Sequence, residues 1–217
     1  MKSKKIIVGW WLSIILAVGG LAVFGQENAT SGVIGTDDGY LLAYNGLKTS
    51  FHIEFKGRDF EKKDSNHPAF WIDGKLIQVI PVTRGDFWKP QPDAKTEPTA
   101  EELLEAHRKW ESDYIGGQLG IKLAVTSEYL EIGPQRKALF WSFPIPKDLG
   151  APVSHQLFLT TTLGKDVLVL SAGPEKAEDF QAFKSYLLNS MKTLKTSEKP
   201  YDIKDLADKI KAGKPID

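Results

Sequence analysis

The sequence predicts an α+β fold, in which a mostly antiparallel β-sheet built from hairpins carries packed helices in an α/β/α sandwich. Strand-like segments occur in pairs, joined by tight-turn dipeptides such as Asn45-Gly46 and Asp73-Gly74. Two longer segments, 99–114 and 180–194, instead carry apolar residues at helical spacing. The order of hairpin, hairpin, helix, hairpin, hairpin, helix favours an antiparallel sheet with helices packed on it.

Two hairpins are predicted in the first third of the chain. A short apolar strand at 40–44 turns at Asn45-Gly46 into a return strand at 49–55. That return strand alternates, so we expect its Phe and Ile residues to face the core and His52 to face solvent. Strands at 69–72 and 75–82 pair around Asp73-Gly74. A long loop from Thr83 to Pro98 follows them, and such loops in compact domains are often functional.

The first helix is predicted by its capping signal. Thr99 and Glu102 have the spacing of a capping box, and Gly116-Gly117 are expected to end the helix. His107 lies on its apolar face, which predicts a hydrogen-bonded core histidine. A third hairpin then runs from 119–132 to 136–143, with its turn at Gly133-Pro134.

The stretch from Val153 to Leu194 is the centre of the predicted fold. A strand at 153–163 reaches Gly164-Lys165, a pair suited to a type II′ turn because Gly tolerates positive φ. The return strand at 166–171 has four successive apolar residues, which predicts a central strand covered on both faces. An amphipathic helix over 180–194 then packs on the sheet.

The first twenty-five residues have the pattern of an export segment. Three lysines lie within residues 1–5, and residues 6–25 carry no charge. Small residues before Gln26 favour a cleaved signal peptide, whereas the length of the uncharged run leaves an uncleaved membrane anchor open. We therefore expect an exported protein, periplasmic or extracellular, that contacts a membrane only through residues 1–25 if they are retained.

The remaining chain is predicted to contain one domain. Residues 26–38 are rich in small and polar residues and predict a spacer. Residues 39–195 predict a single globular α+β domain. Residues 196–217 predict a polar C-terminal tail, in which Ile203, Leu206 and Ile210 allow a short helix.

Composition and missing motifs exclude several functions. The 28 basic and 28 acidic residues cancel, so the chain has no electrostatic signature of nucleic-acid binding. There is no cysteine, which excludes disulfides and thiol catalysis. The sequence contains no G-x-S-x-G, P-loop, H-E-x-x-H or G-x-G-x-x-G motif, and its four histidines show no metal-binding spacing. No catalytic residue, cofactor or metal is therefore assigned.

The order of elements resembles the PsbP-like superfamily. The residues that carry the resemblance are Gly39-Tyr-Leu-Leu-Ala-Tyr44, the capped helix 99–114, Asp166-Val-Leu-Val-Leu170, Phe180-Gln-Ala-Phe183 and Asn189-Ser-Met191. The familiar opening of that family runs a strand into Pro and Trp, and Asn45-Gly46 stands in its place here. The resemblance implies a mostly non-enzymatic accessory role, in which the domain binds partners.

Three Phe-Trp pairs suggest where a partner binds. In the pairs Phe70-Trp71 and Phe140-Trp141, neighbouring rings on a strand point to opposite faces, so one ring of each is expected to be exposed. Phe87 and Trp88 lie in the long loop and are the candidate contact residues, for an envelope protein or a small ligand. The other interpretation of the three pairs is that their rings only anchor the core and the loop. The alternative is an exported hydrolase with an unfamiliar site, in which His155 joins a carboxylate and a hydroxyl.

Overall fold

The fold is taken from a computed structural model that describes residues 30–46, 48–63, 65, 67–89 and 97–216. The expected export segment at 1–25 lies outside the described residues. Within the described part of the chain, no helix has the length and apolar character needed to cross a membrane.

The strands form two antiparallel sheets. Their bounds are β1 Thr30–Thr36, β2 Gly39–Asn45, β3 Ser50–Lys56, β4 Phe60–Lys62, β5 Ala69–Ile72, β6 Lys75–Val82, β7 Thr126–Gly133, β8 Arg136–Pro144, β9 His155–Leu163, β10 Asp166–Ala172 and β11 Lys195–Ser197. The smaller sheet has the order β1-β2-β3-β11, and the larger has the order β4-β5-β6-β10-β9-β8-β7. Strand β10 lies inside the larger sheet, between β6 and β9, as its continuous apolar run predicts.

The helices cover the sheets in layers. Their bounds are α1 Arg84–Phe87, α2 Ala100–Leu119, α3 Phe180–Met191 and α4 Ile203–Lys211, with short 3-10 turns at Lys147–Leu149 and Ala177–Asp179. Helix α2 packs on one face of the seven-stranded sheet, while α3 and the four-stranded sheet share the other face. Helix α4 covers the outer side of the four-stranded sheet. The predicted α+β fold of antiparallel hairpins with packed helices is confirmed.

Two predicted turns and the predicted helix cap are also confirmed. Asp73 and Gly74 both have positive φ, as a type I′ turn requires. Gly164 has a φ of 62°, and Lys165 has no positive φ, which agrees with a type II′ turn. Thr99 and Glu102 form the reciprocal capping box at the start of α2.

The predicted end of the first helix was wrong by one turn. Helix α2 continues through Gly116 and Gly117 to Leu119, and Gly120 ends it in the left-handed conformation with a φ of 66°. A Cβ at Gly116 would lie 2.9 Å from the carbonyl oxygen of Ile121, so this glycine permits a close chain approach. The following strand begins only at Thr126, and residues 121–125 before it pair with no strand.

The ends of the domain are more ordered than the predicted spacer and tail. Residues 30–36 form β1, which pairs along its whole length with β2. Residues 195–197 pair with β3, and α4 buries Leu206 against Ile34 and Leu41. A Cβ on Gly32 would lie 2.6 Å from the Ile203 side chain, so this glycine lets α4 approach β1 closely. Both segments are mostly polar, so the sequence did not show that their few apolar residues pack together in the domain.

Candidate binding surface

The candidate contact residues Phe87 and Trp88 follow strand β6 on a short, anchored segment. The backbone N–H of Trp88 donates to the carbonyl of Arg84 at 2.8 Å, which closes α1. The backbone N–H of Arg84 donates to Asp166 Oδ1 at 2.9 Å. This bond ties α1 to the start of the central strand β10, so part of the predicted long loop is a fixed helical turn.

Glu97 holds the far end of the same segment. Its carboxylate pairs with the guanidinium of Arg84 and with Lys165 Nζ, the second at 3.0 Å. Hydrogen bonds from Arg84 and Lys165 lower the pKa of the Glu97 carboxyl. Because this carboxylate is exposed, solvent screens the pairs, and their main effect is to keep Glu97 beside α1.

Phe87 belongs to a row of aromatic side chains that crosses from α1 onto α2. Its ring meets the ring of His107 edge-on at 5.2 Å and lies 6.4 Å from the ring of Trp110. Trp110 in turn stacks with Tyr114 at 6.5 Å between centroids. Phe87, Trp88, Trp110 and Tyr114 are all half-buried. We call these four residues the aromatic surface.

The aromatic surface is the candidate contact region. Aromatic side chains supply large contact area at a small cost in conformational entropy, and Trp and Tyr are enriched among residues that dominate binding energy. The row rests on buried His107, and α1 is tied to β10, so the rings are held in place before any partner arrives. Prior ordering of this kind lowers the entropic cost of association.

A buried acid–base pair lies directly beneath the aromatic surface. His107 is 0% exposed and Glu111 is 3% exposed, and His107 Nε2 lies 3.4 Å from Glu111 Oε2. The two residues are four positions apart on the stripe of α2 that faces the seven-stranded sheet. The sequence predicted a hydrogen-bonded core histidine at position 107. Its burial is confirmed, but neither ring nitrogen forms a hydrogen bond with a described residue, and Glu111 was not singled out. Its spacing from His107 was the available signal.

Further polar atoms are buried on the sheet face that α2 covers. Among the described residues, neither ring nitrogen of His107 forms a hydrogen bond, and the same holds for Glu111 Oε1, Trp141 Nε1 and Thr160 Oγ1. Trp141 belongs to the core cluster under α2, and Thr160 is directed to the same face as Phe158 by strand alternation. Such groups cost free energy when buried without partners, which makes this layer less stable than an all-apolar one.

The prediction that His52 faces solvent was wrong. His52 is 2% exposed, because the outer face of the four-stranded sheet is covered by the C-terminal segment that was expected to be a tail. Tyr201 packs edge-on against its ring at 5.2 Å. The Asn45 side chain holds Tyr201 in place by bonding both its backbone N–H and its carbonyl, each at 2.8 Å.

Protonation of His52 is expected to destabilise the protein at low pH. Burial, and then the positive charge of Lys195, lower the pKa of His52 below its ordinary 6.5. A group with a lowered folded-state pKa contributes stability that is complete above 6.5 and is lost as pH falls through the folded-state pKa. Further ionisable groups on this face are Tyr201 and the exposed Glu54 and Lys56.

The measurement is urea unfolding of the native chain and of His52→Phe at about pH 7.5 and about pH 5.5. The native chain should lose more stability than the variant between the two pH values. Equal losses would contradict the role of His52, since every other titrating group is common to both proteins.

The structure also places the remaining predicted site residues. His155 is half-buried, with Nδ1 3.2 Å from Ser154 Oγ and its ring against Phe180. Within the described residues no carboxylate bonds to His155, so the hydrolase alternative gains no specific observation. No group of three or more His, Cys, Asp or Glu side chains in the described ranges is arranged to hold a metal ion.

The three Phe-Trp pairs differ in their surroundings. Phe140 and Trp141 are both buried, contrary to the expectation of one exposed ring, because β8 is an interior strand with helices on both faces of its sheet. Phe70 is buried and Trp71 is half-buried, as expected for alternating positions. Phe87 and Trp88 are the one pair in which both rings are half-exposed.

Comparison with known proteins gives one structural likeness. No protein-family model matches the chain, and the search of curated proteins returned no match. The solution structure of cyanobacterial PsbP (CyanoP) from Synechocystis sp. PCC 6803 is similar, with 12% sequence identity and a TM-score of 0.41. The alignment covers 82% of this chain and 96% of that one. That cyanobacterial protein is a PsbP, and the order of elements in this chain resembles the PsbP-like superfamily. No functional residue is transferred from it.

Proposed function

We propose that this chain is an exported, non-catalytic binding domain that attaches to another component of the cell envelope through its aromatic surface. The observation that carries the proposal is the row of half-buried rings formed by Phe87, Trp110 and Tyr114, with half-buried Trp88 at the end of the same anchored helical turn. The export segment at 1–25 supports the location, and the partner is an envelope protein or a small ligand.

Trp88 is the residue whose removal tests the proposal. It is half-exposed, and its position at the end of α1 is fixed through the backbone bond to Arg84. Truncation of a tryptophan that dominates an interface costs about 2 kcal/mol or more, which is about 30-fold in Kd. We therefore expect Trp88→Ala to weaken partner binding by about this factor while the protein remains folded.

In the experiment, the full chain is immobilised and binds partners from an extract of envelope components. The amount of partner bound by the native chain is then compared with the amount bound by each variant. Trp71→Ala is the matched control, because Trp71 is also half-buried but lies on β5, in the other half of the large sheet. Loss of binding in Trp88→Ala alone supports the proposal. Equal binding by the native chain and Trp88→Ala contradicts it.

A further inference from the structure

A second surface, independent of the aromatic surface, lies along the free edge of the seven-stranded sheet. Strand β7 ends the sheet order, so its outer backbone groups face no other strand in the described part of the chain. Residues 122–125, which lead into β7, pair with no strand. Exposed edges of this kind are templates for an added strand.

A groove lies next to the segment that leads into this edge, between α2 and residues 120–125. Its volume is about 550 Å³, within the range of small binding sites. Ile121, Leu123 and Val125 are half-buried along one wall, and the intervening residues are exposed. Leu123 and Val125 pack on the core cluster under α2, so the side chains that this segment exposes between them are those of Lys122 and Ala124. Tyr129, on the adjoining strand, is the one large hydrophobic residue exposed among the described residues, at 38%.

The charges of the groove define the partner that fits it. The lining contains the cations Arg108, Lys109 and Lys122, and a single carboxylate, Asp113. Lys109 is paired with Asp113, and Arg108 with Glu105 outside the lining, whereas Lys122 forms no ion pair with a described residue. The unpaired positive charge of Lys122 therefore lies just before the N-terminal end of β7.

The C-terminal half of β7 carries negative charge. Glu128 is bonded to Lys184 of α3 on the other face of the sheet, but Glu131 is exposed without an ion pair among the described residues. Two copies pairing antiparallel about the middle of β7 would bring Glu128 of one opposite Glu131 of the other, which is unfavourable. The edge is therefore better matched to a different chain than to a second copy.

We propose that residues 122–131 bind an extended peptide segment of a partner protein, which adds a strand to β7 and places acidic side chains beside Lys122. The backbone pairing supplies affinity, and Lys122 favours acidic residues at the end of the peptide that lies beside it. This binding site lies on a different face of α2 from the aromatic surface. The inference is therefore independent of the proposed function.

The test uses blocked octapeptides that alternate Val with Glu or Thr, titrated into the full chain in mild detergent and followed by backbone amide NMR. We expect shift changes confined to residues 121–131. Lys122→Glu should weaken binding at least about tenfold, since it reverses the one unpaired charge. The control Lys204→Glu makes the same charge change on α4 and should bind like the native chain. A peptide methylated on alternate amide nitrogens should lose binding, because it cannot form the added ladder.

Several outcomes would overturn the inference. These are no shift changes at millimolar peptide, changes located instead at Phe87 and Trp88, or equal binding of the methylated peptide. Peptide-independent dimerisation through β7 would assign the edge to a second copy and would equally overturn it.

Discussion

Replacing His107 with leucine is expected to destabilise the protein by about 1–3 kcal/mol, because it leaves the buried Glu111 side chain without the imidazole beside it. Glu111 is only 3% exposed, so water cannot take the place of the imidazole without local opening. Replacing both residues with leucine removes the buried carboxyl group together with the imidazole. The double variant should therefore be much more stable than His107→Leu, and near or above the native chain.

The measurement is a double-mutant cycle by urea unfolding, with Lys109 and Asp113 as the matched control pair. That pair has the same four-residue spacing on the same helix, with an N–O distance of 2.5 Å, but its side chains are 72% and 64% exposed. Its coupling should stay within about 0.5 kcal/mol. Additive effects at His107 and Glu111 would contradict the account of the buried pair.

Truncation of Phe158 to alanine should cost about 3–5 kcal/mol. Phe158 is fully buried, and its ring stacks on Trp141 with 3.9 Å between centroids. The strands on both sides of β9 prevent the sheet from collapsing into the space left, so the cavity persists. Thermal or urea unfolding of the variant measures the loss.

Phe60→Ala is the control for this truncation. Phe60 is half-buried on the edge strand β4, so its loss should cost clearly less than the loss of Phe158. Similar costs for the two variants would contradict a closed core layer between α2 and the seven-stranded sheet, on which the position of the aromatic surface depends.

Local signals in the sequence predicted most of the fold. The capping box at Thr99, the turn at Gly164 and the apolar run of β10 each depend on residues within a few positions of one another. Such patterns act through short-range backbone and side-chain preferences, so they can be interpreted without knowledge of the rest of the chain. The prediction of antiparallel hairpins with packed helices followed directly from them.

Long-range packing decided the features that the sequence did not reveal. His52 is buried by a segment about 150 residues further along the chain, which Asn45 holds through Tyr201. Strand β1 and helix α4 pack on each other across the ends of the domain. The spacing of Ile203, Leu206 and Ile210 allowed the helix to be predicted, but not the surface on which it packs. The aromatic surface was predicted only as Phe87 and Trp88, because the contribution of Trp110 and Tyr114 requires α1 to pack on α2.

The central claim is that Trp88 lies at the contact with an envelope partner. The most direct measurement is photo-cross-linking in the producing cells, with a benzophenone side chain introduced into the full chain at position 88 and, separately, at position 71. The account predicts one specific cross-linked product from position 88 that position 71 does not give. No product from position 88, or the same products from both positions, would contradict it.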